Sequence, residues 1–103
     1  MRQLKPGARL KSAVCATEVM VVRAPAEALD LRCGGAPMLA PNEAGGAEAR
    51  LDPAFAAGSL VGKRYVDGTD RLELLCTKGG QGSLSLGTEP LGVKQARALP
   101  SSD

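Results

Sequence analysis

The sequence predicts a mainly β fold, a small antiparallel β-barrel, roll or sandwich of about five strands, with one short helical turn near residues 52–57. Three observations support this prediction: short segments alternate apolar and polar residues, glycine-rich turns separate them, and helical periodicity is scarce. A chain of 103 residues fits one domain. We therefore expect residues 1–103 to form a single small β-rich domain.

Two strands are predicted in the first third of the chain. Residues 12–23 contain four valines, and such a nearly continuous apolar run is typical of a central strand. Residues 28–33 alternate, with two leucines and Cys33 on one face, as expected of a half-buried strand. The turn at Pro25 could close a hairpin between the two strands.

Three further strands are predicted in the second half, at residues 59–67, 71–76 and 83–87. Asp67 and Gly68 are a hairpin signal between the first two of these strands. The chain after Glu89 could start a helix at Pro90, although Gly92 disfavours one.

The helical turn at 52–57 is predicted from its ends, because Asp52 can cap it, Pro53 suits the first helical position and Gly58 suits the exit. Residues 34–50 carry two glycine pairs and two prolines and are predicted to form a long loop. We expect the chain ends, residues 1–10 and 98–103, to be frayed.

Two segments resemble each other. Residues 28–35 read ALDLRCGG and residues 71–80 read RLELLCTKGG, so each places Leu, an acid and Leu before a cysteine. This similarity is compatible with an ancient duplication or a pseudo-twofold pair of strands. It is equally what any half-buried strand before a sharp turn would show, because burial of one face alone imposes the alternation.

The three cysteines are the first candidate site. Cys15, Cys33 and Cys76 fall in separate predicted strands, and three thiolates are a permitted zinc set. No two of them are close in sequence, and the chain has no histidine, so the alternatives are buried inert thiols or a reactive or redox thiol. Cys33 is predicted to be the more reactive thiol, because Arg32 precedes it. If all pairs of the three sulfur atoms lie within roughly 4 Å of each other, a shared ligand is credible; larger separations would indicate core thiols.

A small anion is the second candidate ligand. The loop at residues 77–82 contains Lys78, Gly79 and Gly80, whose backbone N–H groups could form an anion nest. Lys63, in a short basic stretch, could add a positive charge. A flexible hairpin turn is the plainer interpretation of the same residues.

Catalytic groups are scarce in this sequence. Without histidine, neither a cysteine hydrolase nor a Ser-His-Asp mechanism is available. Glu18 lies inside the valine-rich strand and would be costly to bury without a partner. Asp30 and Glu73 occupy outward positions in the two similar strands and are predicted to be solvated. No catalytic residue is therefore predicted, and the interpretation leans away from an enzyme.

The composition restricts the classes of partner that the protein is expected to bind. The net charge of +2 and an aromatic content of 2% argue against nucleic acid. No segment reaches the roughly 18 apolar residues of a membrane span, and the first residues lack the apolar core of a secretory signal. We expect a cytoplasmic location with reduced thiols. The bias towards Ala, Gly, Arg and Val is typical of GC-rich coding and predicts a bacterial source.

The leading functional hypothesis is a non-catalytic binding or accessory module, either a homodimer or a subunit that contacts a protein partner, without a cofactor. A metal-binding or redox protein that uses Cys15, Cys33 and Cys76, with zinc as the candidate metal, is the first alternative. A barrel that binds a small anion through the loop at residues 77–82 is the second.

Overall fold

The computed structural model describes residues 2–43 and 50–94, and these form nine short strands and one 3-10 turn. In chain order the strands are β1 (Arg9–Lys11), β2 (Glu18–Arg23), β3 (Leu31–Cys33), β4 (Ala36–Pro37), β5 (Arg64–Val66), β6 (Glu73–Lys78), β7 (Leu84–Leu86), β8 (Glu89–Pro90) and β9 (Gly92–Val93).

The strands make two antiparallel sheets that share one core. The larger sheet has the order β1-β2-β6-β5-β9 and the smaller one β4-β3-β7-β8. Neither sheet closes on itself within the described residues, so the predicted mainly β fold is confirmed, and it is not a closed barrel. The core draws on both sheets and is aliphatic and thiol-rich, with Tyr65 its single aromatic member: Leu4, Leu10, Val19, Val21, Leu31, Cys33, Met38, Tyr65, Leu72, Leu74, Cys76 and Leu84.

A pseudo-twofold axis relates β1–β4 to β5–β8. In the larger sheet the register is symmetric about the pair Met20 and Leu75, since Val19 faces Cys76 and Val21 faces Leu74. In the smaller sheet the pairing of β3 with β7 is likewise symmetric about its central pair, Arg32 and Ser85. The two halves of the chain therefore adopt the same arrangement and meet at the middle of both sheets.

Backbone hydrogen bonds repeat with this symmetry. The Gly7 N–H donates to the Val21 carbonyl at 2.8 Å, and 55 positions later the Gly62 N–H donates to the Cys76 carbonyl at 2.8 Å. Each of these glycines has a positive φ, 87° and 83°, which explains why both halves place glycine there.

The second hairpin of each half repeats as well, here 53 positions apart. Residues 31–38 read LRCGGAPM and residues 84–91 read LSLGTEPL. Both hairpins turn at a glycine with positive φ, Gly34 and Gly87. The chain is therefore an internal repeat, but of other segments than the sequence suggested: Cys33 lies in β3 of the smaller sheet and Cys76 in β6 of the larger one, so residues 28–35 and 71–80 are not equivalent.

Several local predictions are confirmed. Asp52 caps the 3-10 turn Pro53–Phe55 by accepting a hydrogen bond from the Ala54 N–H at 2.9 Å. The hairpin at Asp67 and Gly68 joins β5 to β6 as predicted. The predicted loop at 34–50 contains β4 at its start, and its residues 44–49 lie outside the described part of the chain, as do residues 98–103.

Other local predictions are wrong. Residues 12–23 are not one strand, because residues 12–17 form a turn between β1 and β2. The hairpin predicted around Pro25 does not form, since β2 and β3 lie in different sheets. The strand predicted over 59–67 contracts to β5, and a turn precedes it.

The ends of the domain also differ from expectation. No helix begins at Pro90, which lies in the outer strand β8, where its missing N–H is tolerated. Residues 2–10 are held in place: Arg2 and Leu29 exchange two backbone hydrogen bonds of 2.8 and 2.9 Å, and Leu4 is only 4% exposed.

Candidate functional site: two thiols among three turns

The turn at residues 12–17 is organised by the Ser12 side chain. Its hydroxyl oxygen accepts hydrogen bonds from the backbone N–H groups of Val14 and Cys15, both at 3.1 Å. The Ser12 N–H in turn donates to the Thr17 carbonyl at 2.8 Å. The neutral Cys15 thiol donates to the Ser12 hydroxyl oxygen at 3.2 Å. When Cys15 ionises, the Ser12 hydroxyl can donate its one hydrogen to the thiolate, because the two backbone N–H groups occupy its acceptor side.

Two further groups lie beside the Cys15 sulfur and can donate to its thiolate form. Thr17 Oγ1 lies 3.2 Å from the sulfur, and the Gly82 N–H points at the same sulfur from 3.4 Å. Burial opposes ionisation of this thiol, but hydrogen bonds from Ser12, Thr17 and Gly82 outweigh it and lower the pKa of Cys15 from 9.0 to about 7. Cys15 is half-buried.

The Cys33 sulfur lies 3.8 Å from the Cys15 sulfur. Cys33 is 0% exposed, and burial together with the charge of Cys15 raises its pKa to about 11. Cys33 was predicted to be the more reactive thiol because Arg32 would favour its thiolate, whereas the pKa values favour the thiolate of Cys15. Arg32 points to the other face of β3, as neighbours in a strand must, and donates to Asp30 Oδ2 and to the Gly35 carbonyl, both at 3.0 Å.

Glycines let three turns converge around the two sulfurs. A Cβ added to Gly82 would lie 2.9 Å from the Gly34 nitrogen and 3.0 Å from the Cys33 sulfur. A Cβ on Gly80 would lie 2.5 Å from Thr17 Oγ1, so these turns approach too closely for any side chain. Gly80 and Gly82 of the predicted loop at 77–82 thus lie against the thiol site.

Cys76 is buried at 1% exposure and donates to the Lys78 carbonyl at 3.2 Å. Burial raises its pKa. Cys15 and Cys33 thus form one close pair of sulfurs, and the criterion that all three pairs lie within roughly 4 Å is not met. In the part of the chain that the structure describes, no three Cys, His, Asp or Glu side chains are grouped so that they could hold a metal ion.

The predicted anion loop uses its N–H groups within the protein. The Gly80 N–H donates to the Ser59 carbonyl at 3.2 Å, and the Gly82 N–H is directed at the Cys15 sulfur. Gly79 packs against Ser59 instead: a Cβ there would lie 2.9 Å from the Ser59 carbonyl oxygen. Lys63 and Lys78 are exposed.

The buried acid is Glu73 and not Glu18. Glu73 is 1% exposed, and its carboxylate accepts from Lys94 at 2.9 Å and Arg64 at 3.0 Å. The hydrogen bond from Lys94, aided by Arg64, lowers the pKa of Glu73 despite its burial. Glu18, its equivalent in the first half, is exposed, and the prediction that Glu73 is solvated is wrong.

Each half of the chain also forms a cavity at an equivalent place. The first-half cavity, of about 100 Å³, is lined by Leu31 and Met38, whose counterparts in the second half line a cavity of about 390 Å³. Beside the larger cavity the side chains of Leu60 and Val61 are 61% and 65% exposed. The residues lining this larger cavity, called the apolar groove, are Ala54, Phe55, Ala57, Gly58, Leu60, Tyr65, Ser83, Leu84, Pro90, Leu91 and Val93.

Sequence reasoning missed Ser12 and Thr17 as parts of the site. The spacing of Ser12 and Cys15 is a recognisable signal, because a serine hydroxyl often accepts backbone N–H groups two and three residues later in a turn. Gly82 left no comparable local signal, since it reaches the Cys15 sulfur from 67 residues away.

Comparison with known proteins yields no relative: no family model, no curated protein and no solved structure matches this chain. Among the described residues, no helix has both the length and the apolar character needed to cross a membrane.

Proposed function

We propose that this protein is a thiol-based redox protein in which Cys15 and Cys33 interconvert between a dithiol and a disulfide. The observation that carries the proposal is the 3.8 Å separation of their sulfurs. A disulfide needs about 2.05 Å, so the two atoms must approach by about 1.8 Å. The acidic thiol is the half-buried one, as a reacting thiol should be.

The internal repeat supports the proposal, because each residue of the thiol site can be compared with its counterpart in the other half of the chain, which has no thiol pair. Cys33 corresponds to Leu86, Thr17 to Leu72 and Cys76 to Val21. The fold therefore accepts ordinary aliphatic residues at these places. Polar and sulfur-bearing side chains are concentrated in the first-half turn and around it.

The chemistry is a two-electron oxidation. The Cys15 thiolate attacks a small oxidant, a disulfide or a hydroperoxide, and one bond of that oxidant breaks. The Cys33 sulfur then attacks Cys15, loses its proton and expels the remaining fragment of the oxidant, which leaves the Cys15–Cys33 disulfide. In a cytoplasmic location, the compartment expected from the sequence, reducing thiols would return the pair to the dithiol.

The test is oxidation of the reduced protein, followed by thiol counting under denaturing conditions and by mass spectrometry. We expect the three free thiols to fall to one, with loss of two hydrogen atoms and a peptide linking Cys15 to Cys33. Cys15→Ser and Cys33→Ser should each abolish this change. Cys76→Val, which copies the equivalent Val21, is the matched control and should keep it. Three persistent thiols, or a disulfide that involves Cys76, would contradict the proposal.

A second candidate is a module that binds one small apolar molecule in the apolar groove. Its volume of about 390 Å³ falls within the usual range for small-molecule sites, whereas the equivalent first-half cavity is about 100 Å³. The groove therefore opens in one half of a symmetric fold. This candidate keeps the binding-module hypothesis, with an apolar ligand in place of a protein partner.

Thermal-shift measurements with medium-chain alcohols and fatty acids test this second candidate. We expect a concentration-dependent rise in Tm that Leu91→Gln, within the groove, removes and that Met38→Gln, at the equivalent first-half position, leaves in place. Light scattering run in parallel detects self-association through Leu60 and Val61. If the protein is a dimer and no apolar ligand raises its Tm, the occupant of the apolar groove is a second copy of the chain and not a small molecule.

A further inference from the structure

We infer that the oxidant of the thiol pair is a hydroperoxide, which Cys15 attacks and Cys33 resolves. The inference rests on the redox function proposed above and names its substrate class. Two features of the site carry it: the hydroxyl and N–H groups beside the Cys15 sulfur, and the close packing of the turns beside the Cys33 sulfur.

The donors favour oxygen over sulfur as the atom under attack. The hydroxyls of Ser12 and Thr17 each lie 3.2 Å from the Cys15 sulfur, within hydrogen-bond reach of an oxygen atom bonded to that sulfur. Peroxide oxygens accept hydrogen bonds well, and the oxygen that leaves gains negative charge that a hydroxyl can stabilise. The sulfur atoms of a disulfide are weak acceptors and gain little from the same two groups.

The space around the pair also favours a small oxidant. Val14 and Leu51 pack so closely over Gly34 that a Cβ there would lie 2.6 and 2.7 Å from their side chains. Gly82 closes the site from the other side, against the Cys33 sulfur. A mixed disulfide would have to hold a whole thiol fragment on Cys15 here, whereas a sulfenic acid adds a single hydroxyl.

Burial determines which of the two thiols reacts first with the oxidant. Cys33 is 0% exposed, so an external oxidant reaches the half-buried Cys15 first. The Cys15 thiolate attacks the terminal oxygen of ROOH, the O–O bond breaks, and RO⁻ takes a proton to leave as ROH. The Cys33 sulfur then gives up its proton and attacks Cys15, the S–O bond breaks, and water leaves. Two thiols and ROOH thus become one disulfide, ROH and water, with two electrons passing to the peroxide.

The lowered pKa of Cys15 accounts for only part of the rate at which this thiol is expected to react with peroxide. At pH 7 a thiol of pKa about 7 holds about 50-fold more thiolate than one of pKa 9.0. Its nucleophilicity falls about six- to tenfold over the same interval, which leaves an advantage of about five- to eightfold. A larger advantage with peroxide must come from the hydroxyl donors.

The experiment compares two rates on the same folded protein at pH 7, namely disulfide formation with hydrogen peroxide and alkylation of Cys15 by iodoacetamide. Both reactions require the Cys15 thiolate and depend on its nucleophilicity, so the ratio of the two rates isolates what the donors add to the reaction with peroxide. We expect Thr17→Val to lower this ratio by about tenfold, a size typical of one lost transition-state hydrogen bond. Thr77→Val, an exposed site, should leave the ratio unchanged, and Cys33→Ser should stop at a sulfenic acid that dimedone traps.

Hydroxyethyl disulfide at the same concentration is the competing oxidant. Faster closure of the pair with this disulfide than with peroxide, or a ratio that Thr17→Val does not change, would overturn the inference and leave the redox function standing. If neither oxidant links Cys15 to Cys33, the inference and the proposed function fall together. Circular dichroism of each variant confirms that the compared proteins are folded.

Discussion

Ser12 and Asp67 occupy equivalent positions, 55 residues apart, and organise the same turn in the two halves of the chain. Ser12 Oγ accepts the N–H groups of Val14 and Cys15, and Asp67 Oδ1 accepts those of Arg71 and Leu72. Asp67 accepts with an oxygen that carries no hydrogen, whereas the Ser12 hydroxyl retains a hydrogen to donate. This difference allows the first turn, and not the second, to stabilise a thiolate.

Thr17→Val should raise the pKa of Cys15. The substitution keeps the shape of a fully buried side chain and removes one of the donors to the sulfur. We expect the apparent pKa, measured from the pH dependence of iodoacetamide alkylation at Cys15, to move from about 7 towards 9.0. Thr77→Val is the control, because Thr77 donates to the Glu18 carbonyl, away from the thiols. An unchanged titration in Thr17→Val would show that this hydroxyl does not support the thiolate.

Gly80→Ala should destabilise the protein by about 1–3 kcal/mol, the usual cost of overpacking. The added methyl group would lie 2.5 Å from Thr17 Oγ1 and 2.6 Å from the Thr17 nitrogen, so the two turns must separate. Gly92→Ala is the matched control, because a Cβ there meets no atom within 4 Å. Urea denaturation measures both variants, and equal stabilities would show that the turns can move apart freely.

Glu73→Gln should cost about 1.5–3 kcal/mol, the range for hydrogen bonds to charged groups. The substitution removes the charge to which Lys94 and Arg64 donate. Glu18→Gln, at the equivalent exposed position, should change the free energy of unfolding little. Thermal or urea denaturation at pH 7 compares the two variants, and equal losses would contradict the assigned role of Glu73.

The free energies of unfolding of Glu73→Gln and Glu18→Gln should also differ in their dependence on pH in acid. The folded-state pKa of Glu73 is lowered from 4.5, so its contribution is complete above that value and is lost as the pH falls through the folded pKa. We therefore expect the free energy of unfolding of the wild type to drop more steeply below pH 4.5 than that of Glu73→Gln. Glu18→Gln should follow the wild type.

Ionisation of Cys15 and ionisation of Cys33 should change the free energy of unfolding in opposite directions as the pH rises. Cys15 has a folded pKa of about 7, below its ordinary 9.0, so its stabilisation is complete above pH 9 and is lost as the pH falls through 7. Cys33 has a folded pKa of about 11, so its contribution is complete below pH 9 and is lost as the pH rises through 11. Relative to Cys15→Ser, the wild type should gain stability from pH 7 to 9; relative to Cys33→Ser, it should lose stability from pH 9 to 11. Parallel curves in urea denaturation would contradict these assignments.

Local patterns were sufficient where the structure depends on neighbours in sequence. The cap at Asp52 and the hairpin at Asp67 and Gly68 are confirmed, because both depend on side-chain and backbone preferences within a few residues. The turn at residues 12–17 was predicted as part of a strand because Val14 continues the valine-rich run of β2, whereas the Ser12 side chain stabilises a turn there. The repeat was sought in the wrong segments, because burial of one strand face produces the same alternation at positions that are not equivalent.

The sequence by itself determined the mainly β class, most of the strand regions and the identity of the three thiols. These follow from period-two burial and from composition, both of which can be read along the chain. Only the tertiary structure decided which sulfurs meet and which of them ionises. Cys15 and Cys33 approach through the packing of turns that are distant in sequence, and the donors to Cys15 include a backbone N–H at residue 82. Burial and hydrogen bonding set acidity, and both are properties of the folded neighbourhood and not of the residue type.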